Sequence, residues 1–323
     1  ASLTVPSGIS LTVNGTFILS SGSFEILDLG ELVNNDLISI SGGSFTVNSG
    51  ATFTNNATVE LWGDGSVSID ASSYVAGDTD ASIYYNHAEG ATLSGISLEY
   101  VYCVVDVEDA ADFSDALTKA ADGYKSVQVN VNTDLTLSSD ATIPANVAIM
   151  VGSGVTLTID TGATVSLSGS MFIDSDSTLE INSGATLIIE EDGALQVNGT
   201  LLNNGTIDNS GNFGTNVNSY AELLTAIANG VTSIDITSSF SLMGDLVVTE
   251  NMMLTVYNAI LTVPAGRTLT VEGNLVLSNG TVTVASSGKL YNQGQINLYD
   301  QSTLSINTGA TYTQASGACL SFL

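Results

Sequence analysis

Catalysis or metal binding would have to be built from few residue types here, because 33 Asp and Glu stand against four basic residues, Lys119, Lys125, Arg267 and Lys289, and one histidine, His87. Paired carboxylates suit glycoside hydrolysis, which needs two of them about 5 to 10 Å apart. Asp174 with Asp176, and Glu190, Glu191 and Asp192, are the candidate sets. Each lies in or beside a turn of a repeat described below, where solvated carboxylates are expected. A polysaccharide lyase needs a base to take a proton beside a carboxylate, with calcium or cationic groups to hold an acidic sugar. The four basic residues are scattered, and no two share a motif. His87, in Tyr84-Tyr85-Asn86-His87, has no nucleophile motif beside it and reads as a surface or packing residue. Calcium wants several oxygen ligands. Asp64, Asp78, Asp80 and the acidic run 190–192 supply carboxylates, but no EF-hand or Gly-Gly-x-Gly-x-Asp motif organises them. The expectation is a protein without catalytic residues, metal or cofactor, and not an enzyme.

Three other groups of residues are candidates for covalent or contact chemistry. Cys103 and Cys319 are too few for a disulfide framework and lack CxxC or Cys/His spacing for zinc. Two buried thiols, or a bridge within or between chains, are both open; the expectation is that Cys103 or Cys319 takes part in a disulfide that matters for assembly. Asn-x-Ser/Thr sequons at Asn14, Asn56, Asn198, Asn204 and Asn279 fall near turns and are candidate glycosylation sites. The segment from Trp62 to Tyr102 holds the only Trp together with Tyr74, Tyr84, Tyr85, Tyr100 and Tyr102. Trp62, Tyr84, Tyr85, Tyr100 and Tyr102 form a candidate contact surface, for a sugar or for a neighbouring subunit. The bland alternative is an insertion packed on its own scaffold.

Composition narrows the partners. A formal charge of −29 argues against nucleic acid and anionic membrane, both of which need clustered Lys and Arg. No stretch approaches the 18 or more apolar residues of a membrane span. Charged residues make up 11% against about 25% in an ordinary soluble protein, while 44% of the chain is hydrophobic, so it folds and presents an unusually uncharged surface. No charged region followed by an apolar one opens the sequence. Ala1 is therefore expected to be a processed N-terminus, and the location extracellular.

The elements that must position these residues are repetitive. Thr156-Leu-Thr-Ile-Asp-Thr-Gly-Ala-Thr-Val165 recurs without a gap as Thr178-Leu-Glu-Ile-Asn-Ser-Gly-Ala-Thr-Leu187, so that the period runs from Thr156 to Thr178. The same turn returns as Asn48-Ser-Gly50 and Asn307-Thr-Gly309. At longer range, residues from Ala1 align with residues from Ala259 for about 43 positions, placing Pro6 on Pro264, Gly8 on Gly266, Leu32 on Leu290 and Asn34 on Asn292. Segments around Asp112 and Ser219 are the two convincing helices, with those residues as caps and Gly123 and Gly230 as stops. Elsewhere, apolar and polar residues alternate at the period of half-buried strands, punctuated by Asn-Gly, Ser-Gly and Asp-Gly turns. Three short strands per period predict an all-β, parallel β-helix or β-solenoid, with Leu157, Ile159, Leu179 and Ile181 in its core columns. Roughly 12 to 14 coils are expected if winding is continuous. Three modules follow: 1–105, with an aromatic-rich insertion at 62–105; 106–216, a helix then solenoid; and 217–323, a helix then solenoid.

The Tyr220-Ala-Glu-Leu223 helix, the Leu261-Thr-Val-Pro-Ala-Gly-Arg-Thr-Leu-Thr-Val271 run and the Val197-Asn-Gly-Thr-Leu-Leu-Asn-Asn-Gly-Thr-Ile207 run resemble adhesin-like parallel β-helix proteins of bacterial and archaeal surfaces. The low charge and free-standing repeats are also similar to the tubular, amyloid-like sheath proteins of methanogenic archaea. Neither resemblance brings catalytic residues. Together they imply a structural extracellular protein that joins copies of itself into a filament, sheath or surface layer. The alternative is an adhesin or carbohydrate-binding stalk whose partner is a cell-surface glycan.

Overall fold

The computed structural model describes residues 1–77, 81–86, 91–299 and 301–323. It is a parallel β-solenoid of about 15 turns, slightly more than expected, with about half of the chain in strands and only two α-helices among the described residues. The reason is local and repeated. Four-residue strands such as Thr178–Ile181 bury alternate side chains, here Leu179 and Ile181, and expose the others more. Several turns between strands use left-handed backbone that glycine adopts with least strain. The four copies of the Gly turn, Gly50, Gly162, Gly184 and Gly309, have φ of 81°, 85°, 81° and 85°.

Two compact units divide the chain: residues 1–137 with 143–157, and residues 138–142 with 158–323. In the first, Ser2 pairs with Ser23 and Ser23 with Ser44, so each opening coil is one residue shorter than the sequence period predicts. Later steps are less regular, Ser66 pairing with Thr92 and Ile83 with Val101. Residues 62–105, read from the sequence as an insertion, include strands wound into the coils themselves. Strands Ser66–Ile69, Tyr74–Ala76 and Ser82–Asn86 pair with Ser44–Val47, Thr52–Asn55 and Thr58–Leu61. A chain of aromatic rings, Phe17, Phe24, Phe45, Phe53, Tyr74 and Tyr100, runs through this unit with neighbouring centroids 4.8 to 5.7 Å apart.

In the second unit the predicted period holds where the sequence showed it. Val165 pairs with Leu187 and Leu167 with Ile189, and the Asn182 amide donates to Ile159 O. Ile159, Leu179 and Ile181 are fully buried here, as is Leu157 of the first unit. Farther along, the shorter step of the opening coils returns: Leu254 pairs with Leu275 and Leu275 with Ile296, an aliphatic column. The long repeat reaches the backbone itself. Gly8 N donates to Leu29 O and Gly266 N to Ser287 O, and both acceptors sit at positive φ, 59° and 63°, although neither is glycine.

Both helices follow a strand of the solenoid. Helix α1, Ala110–Ala121, is capped by Asp109, whose carboxylate accepts from Ala111 N and Asp112 N. Asp112 is not the cap, as the sequence suggested; it stands one turn on and accepts from Glu108 N. Two candidate carboxylates stood near one helix start, and the helix begins earlier than read. Helix α2, Tyr220–Ala228, is capped by Ser219 as expected, with Glu222 reaching back to accept from Asn218 N. Gly123 and Gly230, at φ of 99° and 76°, follow the last turns.

Candidate functional site

The most individual surface lies on the first unit, where strands Thr58–Leu61, Ser82–Asn86, Val101–Val107 and Ser126–Val131 lie side by side. Alternation sends Val59, Leu61, Ile83, Tyr85, Val101 and Cys103 into the core. The residues between them form an outer row in which Glu60 pairs with Tyr84, Tyr84 with Tyr102 and Tyr102 with Ser126. Tyr84 and Tyr102 stack, their centroids 5.2 Å apart and their planes 21° from parallel. The Lys125 ammonium sits 4.8 Å from the Tyr102 centroid, a cation–π contact that braces the pair.

Trp62 follows the Thr58–Leu61 strand and folds back over the neighbouring one, its Nε1–H donating to Ser39 Oγ at 3.1 Å. Ser39 is buried beneath it. Trp62 and Tyr84 are each 45% exposed. Between them runs a groove of about 240 Å³ lined by Glu60, Leu61, Trp62, Tyr84, Asn86 and Val104. Apolar ring faces and polar groups thus converge on paired strands.

The structure divides the five aromatic residues expected to act together. Trp62, Tyr84 and Tyr102 face outward, but Tyr85 points into the core and its hydroxyl donates to Ala91 O at 3.0 Å. Tyr100 belongs to the internal aromatic chain, 5.6 Å from Tyr74. Adjacent residues on one strand point to opposite faces, so Tyr84 and Tyr85 could not share a surface once strand 82–86 formed.

Cys103 and Cys319 lie in different units and both thiols are free. Cys103 is buried between Tyr85 and Val127 in the sheet, and burial pushes its thiol up to about 11. Nearby Tyr124 is likewise pushed up to about 12, mainly by burial. Cys319 is exposed on the strand Cys319–Phe322, its Sγ 3.1 Å from Ser321 Oγ.

The sequon asparagines differ in what their amides do. Asn56 Nδ2 donates to Asn35 Oδ1, and Asn35 Nδ2 to Asn14 Oδ1, so two sequons belong to one surface ladder. Asn279 Nδ2 donates to Asn258 Oδ1. Asn198 Oδ1 accepts from Gln196 and Asn216, beside a groove of about 590 Å³ under α2. Asn204 is exposed in its turn.

The carboxylates considered for catalysis remain in turns. Asp174 accepts from Ser175 N, while Asp176, Glu190, Glu191 and Asp192 are exposed. Among the described residues, no group of three His, Cys, Asp or Glu is placed to hold a metal ion. An acidic groove of about 550 Å³ beside α1 contains Asp106, Glu108, Asp112, Asp115 and Asp122. Asp106 and Asp112 already accept from Asn130 and Glu108 N. Asp64 is exposed, whereas His87, Asp78 and Asp80 lie outside the described residues. Among the described residues, no helix is long and apolar enough to cross a membrane.

No family model matches the chain. No curated protein matches it either. Among solved structures, the crystal structure of the TibC-catalyzed hyper-glycosylated TibA55-350 fragment is similar over 99% of this chain and 93% of that one, at 16% identity and a TM-score of 0.21, which is too distant to bear on function.

Proposed function

We propose that this chain is a structural β-solenoid of the cell exterior that joins copies of itself coil on coil. One observation carries the reading. Among the described residues, strands Ser2–Val5, Ser10–Val13 and Phe17–Leu19 pair with Ser23–Ile26, Glu31–Asn34 and Leu37–Ile40, and Leu3 there is 43% exposed. Its counterpart in the long repeat, Leu261, is fully buried, because Phe240–Ser241 pairs with Leu261 and Thr262 and completes the sheet. The same sequence pattern stacks on a further coil where one is present, and this complementarity of coil to coil supports association between copies. Backbone hydrogen bonds and apolar burial would make the contact. No catalytic step belongs to this reading, since the carboxylate pairs sit in turns.

The test is light scattering of the purified chain across salt and pH. A charge of −29 opposes association, so polymers should grow as ionic strength rises or as pH falls into the carboxylate range. Leu3→Lys with Leu11→Lys should suppress them. A chain that stays monomeric at high concentration under all these conditions overturns the proposal. A second reading, a stalk that contacts glycan, is favoured by the outward aromatic groove of the first unit.

A further inference from the structure

We propose that the groove between Trp62 and Tyr84 binds one ring of a neutral pyranose glycan. This rests on the second reading above and is independent of assembly. A pyranose presents patches of C–H and a rim of hydroxyls, so its receptor needs exposed ring faces with hydrogen-bonding groups beside them. The groove supplies both. The indole N–H is spent on Ser39 Oγ, which pins Trp62 over the strand and leaves its carbon surface to the solvent. Tyr84 is stacked on Tyr102 on one side, so its opposite side turns toward Glu60, one rung away. Glu60 offers carboxylate oxygens to sugar hydroxyls, and Asn86 lines the rim.

Size and charge narrow the ligand. About 240 Å³ lies below the roughly 300–1,000 Å³ of pockets that enclose a drug-sized ligand, which suits a single ring held in an open groove. Glu60 within the site and the net −29 disfavour uronic or sulfated sugars. Tyr84 stands on a paired strand and the Trp62 indole is held by Ser39, so little ordering is required on binding.

Because Trp62 is the only tryptophan, its fluorescence reads this site directly. The full chain is titrated with cellopentaose, maltopentaose and xylopentaose, and with a galacturonate oligomer as the acidic control. A saturable change in Trp62 emission is expected with at least one neutral probe and not with the acidic one. Tyr84→Ala should weaken binding about tenfold without altering the far-UV dichroism, whereas Tyr84→Phe should retain it. No saturable change with any neutral probe up to millimolar concentration overturns the inference. So does a blue shift that follows protein concentration alone, which would mark the face as a contact between copies. Calorimetric glycan binding that leaves Trp62 silent and is indifferent to Tyr84→Ala would keep the glycan reading while removing it from this groove.

Discussion

The opening coils and their repeat copy beginning at residue 259 share a backbone but fill it differently. Positions held by Phe17, Phe24, Phe45 and Phe53 in the first are held by Leu275, Val282, Leu304 and Tyr312 in the second. The first copy stacks rings, Phe24 lying 5.0 Å from Phe45 at 16° between planes, and the second stacks aliphatic side chains. A three-strand coil therefore accepts either filling, and Phe45 itself pairs with Val67 on its other side. Polar rungs are less forgiving. Asn34 is fully buried and its amide donates to Asn55 Oδ1 at 2.8 Å and to Thr58 O at 3.0 Å, one rung on. Its counterpart Asn292 is equally buried and donates to Cys319 O, but its Oδ1 has no partner. The next rung there carries Gln314, which bonds Ala318 O and Tyr312 instead of continuing the ladder.

The largest expected effect tests the ring column. Phe45→Ala, in the middle of the stack, should cost about 3–5 kcal/mol in denaturant unfolding, since both neighbouring rings lose a contact and a cavity remains. Leu304→Ala, at the same place in the other copy but only half-buried, should cost clearly less. Equal costs would mean that the stack contributes nothing beyond volume.

The next contrast concerns the edge. Leu269→Ala should cost about 2–4 kcal/mol because Leu269 is fully buried between Leu246 and Leu290. Truncating its counterpart Leu11, half-buried on strand Ser10–Val13, should cost about 1 kcal/mol in dilute monomer, and more once copies associate. A Leu11 penalty independent of protein concentration would count against assembly through that edge.

Smaller again is the ladder. Asn34→Ala strands Asn55 Oδ1 and Thr58 O in the interior and should cost about 1–3 kcal/mol. Asn292→Ala should cost less, because it also removes an acceptor that already has no partner. Matching values by thermal or chemical unfolding would show that the ladder is not worth more than an isolated amide.

The mildest perturbation is pH. Cys103 ionises near 9 when unfolded but only at about 11 when folded, so above pH 9 the unfolded chain sheds a proton that the folded chain keeps. The stability contributed by the buried neutral thiol is complete below pH 9 and is lost as pH rises towards 11. Alkylation at mildly alkaline pH should accordingly modify Cys319 rapidly and Cys103 only after unfolding. Two rapidly labelled thiols would contradict the burial of Cys103.

Much of this fold can be read along the chain because each coil is made by local rules. Alternation decides which of Leu179 and Glu180 turns inward, and the Gly184 turn needs a φ that few other residues adopt. The regular stretches were legible for that reason, as were both helices and their glycine stops. The exceptions depend on partners distant in sequence. The helix cap moved from Asp112 to Asp109 because the preceding strand Val101–Val107 ends where its sheet neighbour does. The aromatic cluster was visible as composition, but its separation into an inward Tyr85, an internal Tyr100 and an outward Trp62 and Tyr84 was not.

What the residues alone determined is the period, the alternation and the turn chemistry, since those act within a few positions of one another. Only the folded chain decided register and side. The unequal steps from Ser2 to Ser23, from Val165 to Leu187 and from Ser66 to Thr92 are chosen by which rungs stack, and a shift of one residue would exchange the core face for the solvent face. The Trp62 and Tyr84 groove exists because strands a full coil apart along the chain were brought one rung apart in space, a proximity set by the winding of the coil.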